Sequence, residues 1–230
     1  MMLPELREKV LDANLEIQRQ GLVLYTFGNA SGIDRKSGLV AIKPSGVPYE
    51  TMTPADIVIA DLEGRVVEGK LRPSTDLATH LALYRAWPSI GGVAHTHSRH
   101  ATAWAQAARE IPCFGTTHAD YFHGPIPVTA ALTPDEIESG YEANTGAAIV
   151  RAIEDREPLR CPAVLVAGHA PFCWGKSASD AAHAAVMVEE LAALALETLS
   201  INPTAQPISQ TLRDRHHFRK HGPKRTYGQS

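Results

Sequence analysis

The sequence predicts an α/β fold in which helices pack over a substantially antiparallel sheet, and three observations carry that prediction. Short β-rich runs alternate with longer segments of helical periodicity along the 230 residues. Several neighbouring runs are separated by nothing more than a glycine turn, too short a connection for a parallel crossover. No repeat, linker or low-complexity block divides the chain, so residues 1–230 read as one domain that buries roughly 70% of its unfolded surface.

Taken in order, Leu6, Val10, Ala13 and Ile17 recur at helical spacing and the pattern stops at Gly21, which predicts a helix over about residues 4–20. Residues 22–27 and 38–42 are β-rich. They are punctuated by Gly28-Asn29-Ala30-Ser31-Gly32 and Lys43-Pro44-Ser45-Gly46, both of turn composition, so a pair of strands with glycine turns is expected. Thr53-Pro54-Ala55-Asp56 and Thr133-Pro134-Asp135-Glu136 each set a capping hydroxyl before proline with acids in the first turn, which predicts two helix starts. Residues 57–61 and 66–68 flank a short polar turn and read as a hairpin. Ser74 caps a helix from about Asp76 to Trp87 that stops before Pro88, and Ser98 opens another through about Ala108. Residues 115–124 hold His118, Asp120 and Tyr121 between glycines and read as a polar loop. Ser177-x-x-Asp180 is a capping pattern opening a long Ala- and Leu-rich helix to about Leu199.

The formal net charge of −3 gives no overall electrostatic case for nucleic acid or an anionic membrane, and no apolar run approaches the ~18 residues of a membrane span. Charges near the N-terminus stand where a signal peptide needs an apolar core. Cys113, Cys161 and Cys173 are odd in number and form no CxxC pair, which fits a reduced, cytoplasmic setting. Against this balance the tail from Arg213 to Arg225 is strongly basic, a solvated face or a contact for an anion.

Chemistry concentrates in Gly91-Gly92-Val93-Ala94-His95-Thr96-His97, where His-x-His at the end of an apolar run puts two imidazoles on one face of a strand. Alone, such a pair is as well read as two surface histidines. Asp76 upstream and His169, after a second β-type run, supply further donors, and three histidines with a carboxylate suit zinc, with manganese or cobalt as substitutes. Gly28-Asn29, Ser45-Gly46 and Ser74-Thr75 offer backbone N–H groups and short polar side chains, and Lys43 adds a positive charge. Together they can cradle a phosphate; singly each is an ordinary turn or cap.

With these residues in place, the chain resembles the L-ribulose-5-phosphate 4-epimerases, within the wider class II sugar-phosphate aldolase and adducin-like family. The resemblance runs through Gly28-Asn29, residues 42–47, Pro73-Ser74-Thr75-Asp76, residues 88–102, residues 115–121 and the ending with Arg219-Lys220-His221-Gly222 and Tyr227-Gly228-Gln229. It implies a three-layer α/β/α fold with a central mostly antiparallel sheet, a cytoplasmic homotetramer with fourfold symmetry, and active sites at subunit interfaces to which the basic segment 208–230 contributes. It implies His95, His97 and His169 as ligands of a zinc ion with Asp76 beside them, where related aldolases carry glutamate. Gly28, Asn29, Lys43, Ser45, Gly46, Ser74 and Thr75 fall on substrate and phosphate positions, Asp120 and Tyr227 on an acid/base pair and His216 on a further site histidine. Glu142 and Thr116 are secondary candidates. Two departures from the family pattern, Thr75 in place of serine and the apolar surroundings of His169, remove no reacting group.

The implied reaction interconverts L-ribulose 5-phosphate and D-xylulose 5-phosphate. Carbon 4 is not adjacent to the C2 carbonyl, so its proton cannot simply be removed, whereas the C3–C4 bond is placed for retro-aldol cleavage and re-addition to the other face of the aldehyde. A class II aldolase of the L-fuculose 1-phosphate type is the alternative, against which Asp76 and the Asp120/Tyr227 pair argue. A non-catalytic adducin-type scaffold need not keep three histidine ligands.

Overall fold

Seven strands form a single sheet in the order β4-β3-β2-β1-β5-β7-β6 in the computed structural model, which describes residues 1–222. The strands are β1 (Asn29–Asp34), β2 (Leu39–Ile42), β3 (Val58–Ala60), β4 (Val66–Glu68), β5 (Gly92–His95), β6 (Ala163–Leu165) and β7 (Pro171–Gly175). Every ladder between them is antiparallel, as the short connections predict. The helices are α1 (Pro4–Arg19), α2 (Leu77–Ala86), α3 (Arg99–Gln106), α4 (Thr116–Ala119), α5 (Pro134–Ile153), α6 (Ala178–Ile201) and α7 (Gln210–His221).

Apart from the exposed edge strand β4, strand residues alternate between two apolar cores, the expected consequence of a two-residue repeat with both faces covered. Ala30, Ala41, Ile59, Ala94, Leu165 and Cys173 face α1, α3 and α6. Ile33, Val40, Ile42, Val58, Val93, Val164, Phe172 and Trp174 face α2 and α5. The result is the α/β/α layering. Asn14 of α1 ties helix to sheet, its amide donating to the Ala30 carbonyl and its side-chain oxygen accepting from the Ala30 N–H. The Thr133 capping box and the Ser177 cap form as their sequences predict. Gly92 lets β5 abut the start of α6, because a Cβ there would run into the Ser177 backbone.

Four expectations are corrected. Residues 22–27 are not a strand: Leu22 and Val23 are buried, but Leu24, Tyr25 and Phe27 are exposed and Tyr25 has a φ of 53°. Within the segment expected as a turn, Gly28 to Gly32, residues 29–32 instead supply the start of β1, and Gly32 fits beneath Leu6 and Val10 of α1 where a larger residue would crowd them. Thr53-Pro54-Ala55-Asp56 closes into a turn, with the Asp56 carboxylate accepting from the Thr53 N–H and hydroxyl, rather than opening a helix. The segment around His118 is not a loop throughout: residues 116–119 form α4, with His118 and Asp120 buried.

Candidate active site

At one end of the sheet, β5 and the β6–β7 turn deliver three imidazoles to one point. His95 closes β5, His97 lies just beyond it with the same side-chain parity, and His169 occupies the turn before β7. Their ligand atoms lie within 4.8 Å of one another, and among the described residues this is the cluster of His, Cys, Asp or Glu able to hold a metal ion. His95 is fixed from behind: Nδ1–H donates to the Pro171 carbonyl at 2.9 Å and the ring stacks on Phe172 at 4.1 Å. That bond turns the unprotonated Nε2 toward the cluster, 3.1 Å from His97 Nε2. Two facing nitrogen lone pairs repel unless a proton or a cation lies between them, and three imidazoles are a donor set that suits zinc. Burial pushes His97 below its ordinary value and His169 down to about 4, which favours the neutral form of both rings.

Asp76 precedes α2 and lines the same cavity without entering the 4.8 Å set. Its Oδ2 accepts from the Asn29 amide at 2.7 Å. Burial alone would raise its carboxyl, but the imidazoles of His95 and His80 and the Asn29 hydrogen bond outweigh it and hold the group below the usual carboxylate value.

Beside the histidines two loops are stapled together. The Ser74 N–H donates to the Lys43 carbonyl, the Ser45 N–H to the Arg72 carbonyl, and Pro44 and Pro73 form a β-bridge, so Ser45-Gly46 and Ser74-Thr75 converge. Lys43 is 1% exposed, with Nζ donating to the Thr26 and Pro44 carbonyls and lying 4.7 Å from the Tyr49 ring centre. Burial lowers the ammonium to about 8. Gly28, with φ +76°, is hemmed in by Val23 and the His95 carbonyl, and Tyr49 donates to its carbonyl. Gly28, Asn29, Lys43, Ser45, Gly46, Ser74, Thr75, Asp76, His95, His97, His169 and Glu142 thus line one cavity of about 410 Å³.

Tyr141 and Glu142 reach that cavity because α5 breaks at Gly140, whose φ of 152° and ψ of 78° are non-helical. Tyr141, which sequence reasoning did not single out, brings its hydroxyl 3.2 Å from His169 Nδ1. The signal available was Gly140 interrupting a capped helix immediately before it.

Asp120 and His216 lie outside that lining, as does Thr116 at the start of α4. His216 Nδ1–H and Arg219 donate to the Asp120 carboxylate at 3.1 and 2.8 Å, Lys220 lies 3.6 Å away, and His221 donates to its carbonyl. Burial alone would raise the carboxyl, but the bonds from Arg219 and His216 outweigh it and hold Asp120 ionised. The basic α7 is thereby latched onto α4. Tyr227 lies outside the described residues.

A cavity that sets three imidazoles beside a buried ammonium and converging backbone turns can hold a divalent cation next to an anion. The family model described as Class II Aldolase and Adducin N-terminal domain matches residues 8–196, and the chain belongs to that family. A curated L-ribulose-5-phosphate 4-epimerase, UlaF of Salmonella paratyphi B (strain ATCC BAA-1250 / SPB7), is 55% identical over 225 residues, covering 98% of this chain and 99% of that one. Among solved structures, an L-fuculose 1-phosphate aldolase superposes with a TM-score of 0.78 at 24% identity, covering 92% of this chain and 94% of that one. The L-fuculose 1-phosphate aldolase from Glaciozyma antarctica PI12 does so with a TM-score of 0.75 at 18% identity, covering 93% of this chain and 80% of that one. At such identities the two structural likenesses speak for the fold.

Proposed function

We propose that this chain is a divalent-metal-dependent L-ribulose-5-phosphate 4-epimerase, interconverting that sugar with D-xylulose 5-phosphate by retro-aldol cleavage and re-addition at C3–C4. The observation that carries the reading is the meeting of His95, His97 and His169 with the Lys43 cradle in one cavity, in a chain 55% identical to an epimerase over nearly its whole length. His95, His97 and His169 would hold a zinc ion, or manganese or cobalt in its place, which would supply Lewis acidity at the C2 carbonyl.

The remaining work falls to side chains. Lys43, Asn29 and the Ser45-Gly46 and Ser74-Thr75 turns clamp the phosphate dianion, so that the two-carbon fragment stays bound when C3–C4 breaks. Cleavage needs a base to take the proton of the C4 hydroxyl as that oxygen becomes the aldehyde of glycolaldehyde phosphate. The aldehyde then turns about its anchored phosphate, C3 adds to the opposite face, and an acid returns a proton to the new hydroxyl. Two acid/base groups on opposite sides satisfy this, and Asp120 and Tyr227 are assigned to them, with His216 holding Asp120. Because Asp120 stands apart from the cavity of its own subunit, the pair serves the cavity of a neighbouring copy in a cytoplasmic homotetramer.

The test is a coupled assay of epimerisation on L-ribulose 5-phosphate, with metal analysis of the same preparation. Turnover that tracks metal content supports the reading. Net release of dihydroxyacetone phosphate from L-fuculose 1-phosphate, without epimerisation, would replace it with an aldolase.

A further inference from the structure

On the α2 side of the sheet lies a buried polar chain used neither by the histidine set nor by the cradle. Ser31 follows Asn29 by two residues on β1, so both side chains point to the α2 face. The Ser31 hydroxyl is 2.7 Å from His80 Nδ1 and 2.8 Å from the Tyr84 hydroxyl. His80 stands one turn after Asp76, its backbone N–H donating to the Asp76 carbonyl. Ser31 and His80 are fully buried and Tyr84 is 1% exposed.

Satisfaction of these groups sets the direction of the protons. His80 is fully buried, which disfavours a charged ring, so it has one proton to place. A buried phenol proton needs an acceptor, and Ser31 Oγ is the side-chain partner of Tyr84. Tyr84 therefore donates to Ser31, Ser31 donates to His80 Nδ1, and the imidazole proton resides on Nε2. Reversing the order strands the phenol proton. Among the described residues, His80 Nε2 is then a buried donor without a partner, and Asn29 Oδ1, on the same face, is a buried acceptor without one. The other end of that amide donates to Asp76 Oδ2. Phe172 links the same groups, with His95 stacked on it and His80 meeting its ring edge-on at 6.1 Å.

We propose that His80 is a positioning residue for the metal pocket: its Nε2–H, through one enclosed water, holds Asn29 Oδ1 and so fixes the amide that orients Asp76 beside His95, His97 and His169. The consequence for metal binding rests on the function proposed above; the tautomer and the Asn29 contact do not.

Nitrogen NMR of the uniformly labelled, metal-free chain reads the tautomer directly, with the His80 signal assigned by its loss in His80→Gln. The expected result is a neutral ring protonated on Nε2. Competition with a zinc chelator supplies the second reading: His80→Met should bind zinc about tenfold more weakly, whereas His80→Gln, whose amide NH₂ stands in for Nε2–H, should stay within about threefold of wild type. A ring protonated on Nδ1, or wild-type zinc affinity in folded His80→Met, would overturn the proposal. A wild-type chain that takes up no zinc, yet shows the Nε2–H tautomer and a shifted Asn29 side-chain amide in His80→Met, supports the positioning role and removes the metal reading instead.

Discussion

His95 and His97 bring their Nε2 atoms to 3.1 Å while the Pro171 carbonyl fixes His95 from behind. At that distance the two nitrogens share either a proton or a cation, and His169 closes the third side. His97→Ala should therefore lower zinc affinity by ~10-fold or more while the metal-free chain unfolds at nearly the wild-type temperature, since His97 lies beyond β5 and outside both cores. Elemental analysis after dialysis checks it. Full occupancy in a folded but inactive variant would take His97 out of the ligand set.

Lys43 is buried with carbonyls and the Tyr49 ring around its ammonium. In the proposed role it meets the substrate phosphate, so Lys43→Met should raise KM by ~10–100-fold, as loss of a charged hydrogen bond implies, with a smaller change in kcat. An unchanged KM with a depressed kcat would contradict the assignment.

The same lysine predicts two pH effects of opposite sense. Held at about 8 by burial, it loses its charge as pH rises through that value, so KM should climb above about pH 8 in wild type and stay flat in Lys43→Met. Stability runs the other way: the protonated form opposes folding fully below about pH 8, and that cost fades as pH rises from about 8 towards the ordinary lysine value of about 10.4. Wild type should gain unfolding temperature relative to Lys43→Met across that window.

Gly92 faces the Ser177 backbone with no room for a Cβ. Gly92→Ala must separate β5 from the start of α6, and a destabilisation of about 2 kcal/mol or more is expected, measured by urea unfolding. Because His95 ends the same strand, metal affinity should fall with it.

What the sequence made legible followed from periodicity and chemistry that act locally. The helix carrying Leu6, Val10 and Ile17, the hairpin of β3 and β4, the Thr133 capping box and the histidines at strand ends each announce themselves within a few residues. Asn29 to Gly32 did not, because Gly32 is small so that α1 can pack on it, a demand set by a distant segment rather than by a turn. Leu24, Tyr25 and Phe27 have strand composition but sit exposed, Phe27 at the cavity mouth. Nor was Tyr141 visible beforehand, since its approach to His169 depends on the break at Gly140 and on the β6–β7 turn lying opposite it. Contacts made across 28 positions leave no periodic trace in the sequence.

Asp120 is latched to α7 by His216, Arg219 and His221 and stands apart from the cavity that holds the three histidines. If it serves a neighbouring copy, the two halves of the site can be supplied by different subunits. His97→Ala lacks the metal half and Asp120→Asn the acid/base half, so each alone should be nearly inactive, with losses of ~10²–10⁴-fold for the acid/base variant. Mixed and allowed to exchange subunits, they place an intact histidine set from one variant against an intact Asp120 from the other. Random assembly in a closed ring makes about a quarter of the interfaces complete, and recovery to about that fraction of wild-type turnover is the expected ceiling. Tyr227→Phe should complement His97→Ala in the same way and should fail to complement Asp120→Asn, because both of those lesions fall on the same half. Exchange confirmed by native mass spectrometry, with no recovery in any His97→Ala mixture, would confine the site to one subunit and remove Asp120 and Tyr227 from the roles assigned to them.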